Sequence, residues 1–321
     1  LTIALVAVPF MIRELGAVDY GYYITVSSIV FIIGGLTEAG LTALGVREYS
    51  TLAGADRHEF QRSLIGLRLV LTAAGVVLAA AVTWVTGAEP EIVTGTLISG
   101  LGLLIALSQQ TYAIPLTAEL RIGWVTVLEV LKQVVLSSLF LLAVVVSAGL
   151  AAFFWASVVA GLVMLVATLL LVRGHAPLIP SRSRSAWGRV IRETLPYAVA
   201  AAVGLIYFRI AVILMSYVST AEETGIFSAA FRIVEVVATL PLIMVTTVFP
   251  VLARAARDDQ ERLSYALQRV FEVSLIVGGL LAIGLAVAAP FAIEVVAGPG
   301  FEESVEVLRL LSLALVTSFL A

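Results

Sequence analysis

Residues 207–215 read YFRIAVILM, which places a charged Arg209 inside a run that is otherwise apolar. What that arginine does depends on the class of the chain, and composition decides the class. Hydrophobic residues make up 61% of the sequence and charged residues 13%, against about 45–50% and about 25% in soluble domains. The surplus recurs along the whole length in runs of about 20 residues, enough for a helix to cross a hydrocarbon layer roughly 30 Å thick. The sequence therefore predicts an all-α polytopic membrane protein. Cysteine is absent, so disulfides and thiolate metal sites are excluded. The net charge of −3 says little about partners, because placement of charge matters more than its sum.

The predicted spans are 1–12, 21–46, 64–86, 92–113, 124–147, 151–172, 194–217, 225–250, 268–289 and 305–321. The breaks between them carry Gly, Pro and charged clusters, which end helices. Both ends fall inside apolar runs, LTIALVAVPFMI and LLSLALVTSFLA, and are read as truncated helices. Runs this long do not fit transmembrane barrel strands, which are about 10 residues and alternating. The breaks at 47–63, 114–123, 173–193 and 251–267 hold nearly all the loop arginines, among them Arg57, Arg62, Arg121, Arg173, Arg182, Arg189 and Arg254. The alternate breaks at 87–91, 148–150, 218–224 and 290–304 hold no Lys or Arg, and only Arg13 in the first break departs from the pattern. The positive-inside rule puts the Arg-rich loops in the cytoplasm of a cell (inner or plasma) membrane protein.

The sequence also repeats. DYGYY at 19–23 recurs as ETGIF at 223–227, an offset of 204 residues, and each opens a long helix in an outward turn. Two further matches follow in the same order: VREYS (46–50) with LARAA (252–256), and FQRSL (60–64) with LQRVF (267–271). A repeat unit of six crossings keeps one orientation, so the expected architecture is two six-helix bundles related by a parallel repeat. The expected domains are an N-terminal bundle at 1–172, a cytoplasmic linker at 173–193 containing SRSRS, and a C-terminal bundle at 194–321. Transporters commonly place substrate between such halves.

Charges within the spans are the candidate sites, because each costs several kcal/mol against lipid. Arg209 and Arg232 sit roughly 10–12 Å below the outer surface at 1.5 Å per residue. Glu235, three residues past Arg232, shares its face. One reading is an internal Arg–Glu pair locking helices; the other is a cavity lining that attracts an anion; snorkelling is a third, chiefly for Arg209. In the inner half lie Glu38, Glu129 and Lys132. Glu129 and Lys132 read either as an ion pair or, with Glu38, as a cation or proton site. Arg13 and Arg47 end their helices and read as anchors or ligands. Ser108, Gln109, Gln110 and Thr111 form a polar cluster suited to interhelical hydrogen bonds. Trp84, Trp124 and Trp187 fall where an aromatic belt would lie. His58 and His175 stand in loops without a ligand cluster, and neither GxGxxG nor a Walker loop occurs.

RELGAVDYGYY, GLTALGVREYS and above all the stretch 207–254, YFRIAVILMSYVSTAEETGIFSAAFRIVEVVATLPLIMVTTVFPVLAR, resemble the Wzx-like polysaccharide-biosynthesis flippases of the multidrug/oligosaccharidyl-lipid/polysaccharide (MOP) superfamily. The resemblance implies twelve or more helices in two bundles around a cavity, and alternating-access transfer of polyprenyl-pyrophosphate-linked sugars to the outer leaflet. It implies no enzyme activity and no cofactor, with H+ or Na+ as candidate coupling ions. The implied partners are a lipid-linked glycan and membrane lipids, with no nucleic acid and a functional monomer. Many relatives read R-I-D where this chain has Arg209, Ile210 and Ala211, which puts the coupling mode in doubt. Arg209 is carried over from that motif. Arg232, Arg13 and Arg47 as phosphate ligands, and Glu38, Glu235, Glu129 and Lys132 as coupling or gating groups, follow from depth and from guanidinium–phosphate geometry.

Rival readings are a cation-coupled multidrug antiporter of the same superfamily and a membrane glycan polymerase or ligase. The short outer loops without His argue against the enzyme. The orientation is testable: Gly87→Cys and Thr220→Cys react with an impermeant thiol reagent added outside, and Ser183→Cys and Asp258→Cys do not. The opposite labelling inverts the topology.

Overall fold

The computed structural model describes residues 2–174, 177, 179–181, 184–258 and 260–320. His175, Arg182 and Ser183 lie outside the described residues, as do the side chains of Arg184, Pro250, Arg257, Asp258 and Arg262. The fold is all-helical, as the composition predicts: 89% is helix, and no strand occurs among the described residues. The helices are α1 (Thr2–Glu38), α2 (Leu41–Thr51), α3 (Gly54–Val85), α4 (Pro90–Tyr112), α5 (Ile114–Ala118), α6 (Ile122–Val145), α7 (Gly149–Val172), α8 (Arg184–Val218), α9 (Ala221–Val237), α10 (Leu240–Asp258), α11 (Gln260–Val296) and α12 (Ser304–Leu320). Seven helical stretches among the described residues are long and apolar enough to cross a membrane. Their outward side chains, such as Val77, Leu78, Trp84, Leu170 and Phe291, are exposed, which suits a hydrocarbon surround.

Several boundaries differ from the sequence reading, each for a physical reason. The break expected at 13–21 contracts to one residue, Gly16, with φ 67° and ψ −179°; only glycine adopts that conformation freely. The span expected at 21–46 is broken at Ala39 and Gly40, with φ of 38° and 79°, and the span at 225–250 is broken between α9 and α10. The polar stretch expected as a loop at 47–63 is largely helical, because α3 begins at Gly54 with Asp56 in its first turn, where a carboxylate favours the helix dipole.

Two compact units contain these helices, Leu1–Ala221 and Glu222–Ala321. Packing therefore divides the chain at Ala221, while the 173–193 division rests on topology: α8 packs along α1 and joins the first unit. In that unit α4 is central, lying against α1, α3 and α7. Small residues make this closeness possible. A Cβ on Gly102 would stand 2.6 Å from Ser157 Oγ, and one on Gly100 would stand 2.4 Å from Val76 Cγ1. In the second unit α11 packs along α12, burying Ala289, Ile293, Leu308 and Leu315. There Ser304 Oγ donates to the Ile226 carbonyl at 2.7 Å.

Part of the linker is tied down in the first unit. Ser181 N–H donates to the Arg62 carbonyl at 2.9 Å, Arg62 Nε donates to the Ile179 carbonyl at 3.0 Å, and Trp187 Nε1 donates to the Ser63 carbonyl at 2.9 Å. A Cβ on Gly66 would meet the Ser181 carbonyl oxygen at 2.3 Å, and that atom is backbone. Gly66→Ala is therefore expected to destabilise by about 1–3 kcal/mol in a thermal-unfolding assay of the purified protein. Gly123→Ala, whose methyl meets nothing within 4 Å, leaves the transition where it is.

Candidate functional site

The first unit encloses a cavity of about 610 Å³ between α1, α4, α6 and α7, with Leu205 of α8 at its wall. A helix advances 1.5 Å per residue, so Tyr23 and Glu38, both on α1, stand roughly 22 Å apart along its length. The Tyr23 end is aromatic. The Tyr23 ring meets Phe140 edge-on at 6.4 Å, Phe140 meets Phe153 edge-on at 5.5 Å, and Phe31 lines the same space. The other end is polar, lined by Glu38, Gln109, Gln110 and Lys132. Gly34 and Gly35 keep the α1 wall thin: a Cβ on Gly35 would overlap Leu205 Cδ1 at 2.0 Å.

Gln109 is oriented by a bond between helices, its Nε2 donating to Thr168 Oγ1 of α7 at 2.8 Å. That is the use the polar cluster at 108–111 suggested. Ser108 and Thr111 instead donate to carbonyls of their own helix. Lys132 projects into the cavity and has no ion pair among the described residues. Glu129 is exposed and does not line the cavity, so the i, i+3 spacing does not bring the two charges together.

Glu38 is paired, with a residue that sequence reading passed over. Arg68 of α3 is wholly buried, with 0% of its side chain exposed, and its Nη1 lies 3.7 Å from Glu38 Oε2. Its Nη2 donates to Thr42 Oγ1 at 2.8 Å. The Thr42 N–H in turn donates to Glu38 Oε1 at 3.3 Å. A helix expected to start at 64 makes Arg68 a near-terminal anchor. With the start at Gly54 it lies roughly 21 Å along the helix, with its side chain closed off from solvent. The signal available in the sequence was the apolar flank, LIGLRLVL at 64–71.

The other candidate residues are not among those lining this cavity. The Arg209 guanidinium packs over the Phe31 ring at 4.8 Å, and thus against a lining residue. Arg47 is exposed and ties α2 to α8, its Nη2 lying 3.0 Å from both Glu48 and Glu193. Arg13 is exposed on the first arm of α1. Arg232 pairs with Glu235 at 2.7 Å on α9, both side chains part-exposed, in the second unit, whereas Arg209 is in the first.

The chain matches the family described as polysaccharide biosynthesis protein over residues 1–256. No curated protein matches it. Among solved structures it is similar to a multidrug resistance MATE family transporter of the MOP superfamily in an inward-facing conformation, with a TM-score of 0.70 at 17% identity, covering 99% of this chain and 78% of that one. It is similar to the eukaryotic MATE transporter AtDTX14, with a TM-score of 0.53 at 12% identity over 99% and 79% of the two chains. It also resembles a MATE protein in complex with MaD3S, with a TM-score of 0.52 at 16% identity over the same shares. Identities this low show the fold alone. The chain thus belongs to the polysaccharide biosynthesis protein family and is a multi-pass membrane protein whose fold is similar to that of the MATE transporters.

Proposed function

We propose that this protein is a transporter that moves a polyprenyl-pyrophosphate-linked oligosaccharide from the inner to the outer leaflet by alternating access, for surface polysaccharide synthesis. The observation that carries this reading is the charge balance of the first-unit cavity. Its carboxylate, Glu38, already faces the buried Arg68, while Lys132 has no counter-ion among the described residues. With Arg68 behind the wall offsetting Glu38, Lys132 leaves the site one net positive charge, which suits an anionic head and opposes a cationic drug. The carboxamides of Gln109 and Gln110 offer donors and acceptors to hydroxyls, and the Tyr23, Phe140 and Phe153 rings offer faces to a sugar. A volume of about 610 Å³ falls in the usual range of small-ligand pockets, about 300–1,000 Å³. It holds part of the head group, and the prenyl chain stays in lipid. Coupling to H+ or Na+ at Glu38 has first to break the pair with Arg68.

The wider setting we propose is the cell membrane, with the Arg-rich loops cytoplasmic and the monomer as the working unit. Neither a cofactor nor nucleic acid enters this reading. Membership of a polysaccharide biosynthesis family supports the substrate class. The multidrug antiporter is favoured only by the names of the similar solved structures.

Cells lacking the protein are expected to accumulate lipid-linked glycan on the cytoplasmic face with glycosyltransferase activity intact. Lys132→Gln is expected to cut transfer about tenfold or more at equal membrane abundance, since a hydrogen bond to a charged group is worth about 1.5–3 kcal/mol. Lys132→Arg keeps most of it. Normal surface glycan together with new sensitivity to cationic dyes in the deletion strain points to the antiporter instead.

A further inference from the structure

The break between α1 and α2 has a closed ring of side chains across it. Glu38 is the last residue before the break and Thr42 the second residue of α2 after it. Arg68 touches both, and Thr42 touches Glu38, at 3.7, 2.8 and 3.3 Å. The two residues between, Ala39 and Gly40, hold positive φ, a conformation that costs a non-glycine residue energy and persists only when its surroundings enforce it. Arg68 comes from a third helix, and its Nε and Nη1 have no hydrogen-bond partner. A fully buried guanidinium with spare donors is expensive to keep for packing alone.

We infer that Arg68 is the positioning residue of this cavity: it pins the α1–α2 break from both sides and holds the Glu38 carboxylate against the cavity wall. Glu38 then has two roles at once. It lines the cavity, with 30% of its side chain exposed, and it supplies the charge that keeps Arg68 in place. Whatever draws Glu38 away, whether a cation or donors on the transported molecule, releases one arm of the pin and frees the break to straighten. Filling of the cavity and the bend of the second span are thereby one event, a hinge held by charge. The inference goes beyond the proposed substrate and holds for any molecule the cavity takes.

The test is amide hydrogen exchange on the full-length protein in lipid nanodiscs, without substrate, so that it reads the pin and not the substrate class. Arg68→Met and Glu38→Gln are each expected to speed exchange several-fold at residues 39–45 while α4 and α7 stay protected. Arg68→Lys, which keeps a donor and the charge, restores most of the protection. The double variant Glu38→Gln/Arg68→Met carries no buried charge, so its abundance returns to wild type while exchange at 39–45 stays fast. It provides the reading even where a single variant fails to fold. Slow, wild-type-like exchange at 39–45 in the double variant shows that the pair only balances charge, and overturns the inference. Uniformly faster exchange across α1 to α4 in the double variant also overturns it.

Discussion

A charge that crosses into hydrocarbon must find its counter-charge within the protein, because no water is there to solvate it. Arg68 is where this chain meets that constraint most severely. Its side chain has no exposed surface, and removing one partner from a buried pair costs about 3–5 kcal/mol. Glu38 is therefore fixed beside α3, Thr42 is drawn into the same ring, and the second span bends at Ala39–Gly40. The polar end of the cavity follows from that bend, since Glu38 reaches it from the last turn of α1 while Gln109 and Lys132 approach from α4 and α6.

Close approach of helices does the rest. Hydrophobic burial gives no preference between one helix and another when the surroundings are lipid, so packing depends on fit. Gly102 on α4 lets the α7 backbone come near at Ser157 and Val158, Gly100 makes room for Val76 of α3, and Gly35 does the same for Leu205 of α8. The cavity is the space left where the facing residues are aromatic and cannot close further: Tyr23, Phe31, Phe140 and Phe153. Its aromatic end and its polar end thus have separate causes, and together they make a site for an amphiphilic head.

The helices were legible because an apolar run of about 20 residues has few alternatives. Glu38 and Lys132 were legible as functional candidates by depth. Their relation to each other was not, because depth fixes height and leaves open which face of a helix looks inward. The i, i+3 spacing of Glu129 and Lys132 suggested an ion pair, yet Glu129 is exposed while Lys132 lines the cavity. Arg68 was missed through a boundary error of ten residues at the start of α3, since polar residues that look like a loop also form the first turns of a long helix. The breaks at Gly16 and Gly40 could be suspected from glycine, but glycine is common in membrane helices, and only the left-handed φ marks these two.

The central claim is that the substrate is an anionic, lipid-linked sugar carried across the bilayer. The most direct measurement uses proteoliposomes holding the purified protein and a polyprenyl-pyrophosphate sugar, and follows how fast head groups in one leaflet become accessible to an impermeant sugar-modifying reagent on the other side. Protein-dependent transfer that an excess of a neutral prenyl alcohol does not block is the expected result. Transfer no faster than in protein-free vesicles, with protein-dependent movement of a cationic dye in the same preparation, would contradict it.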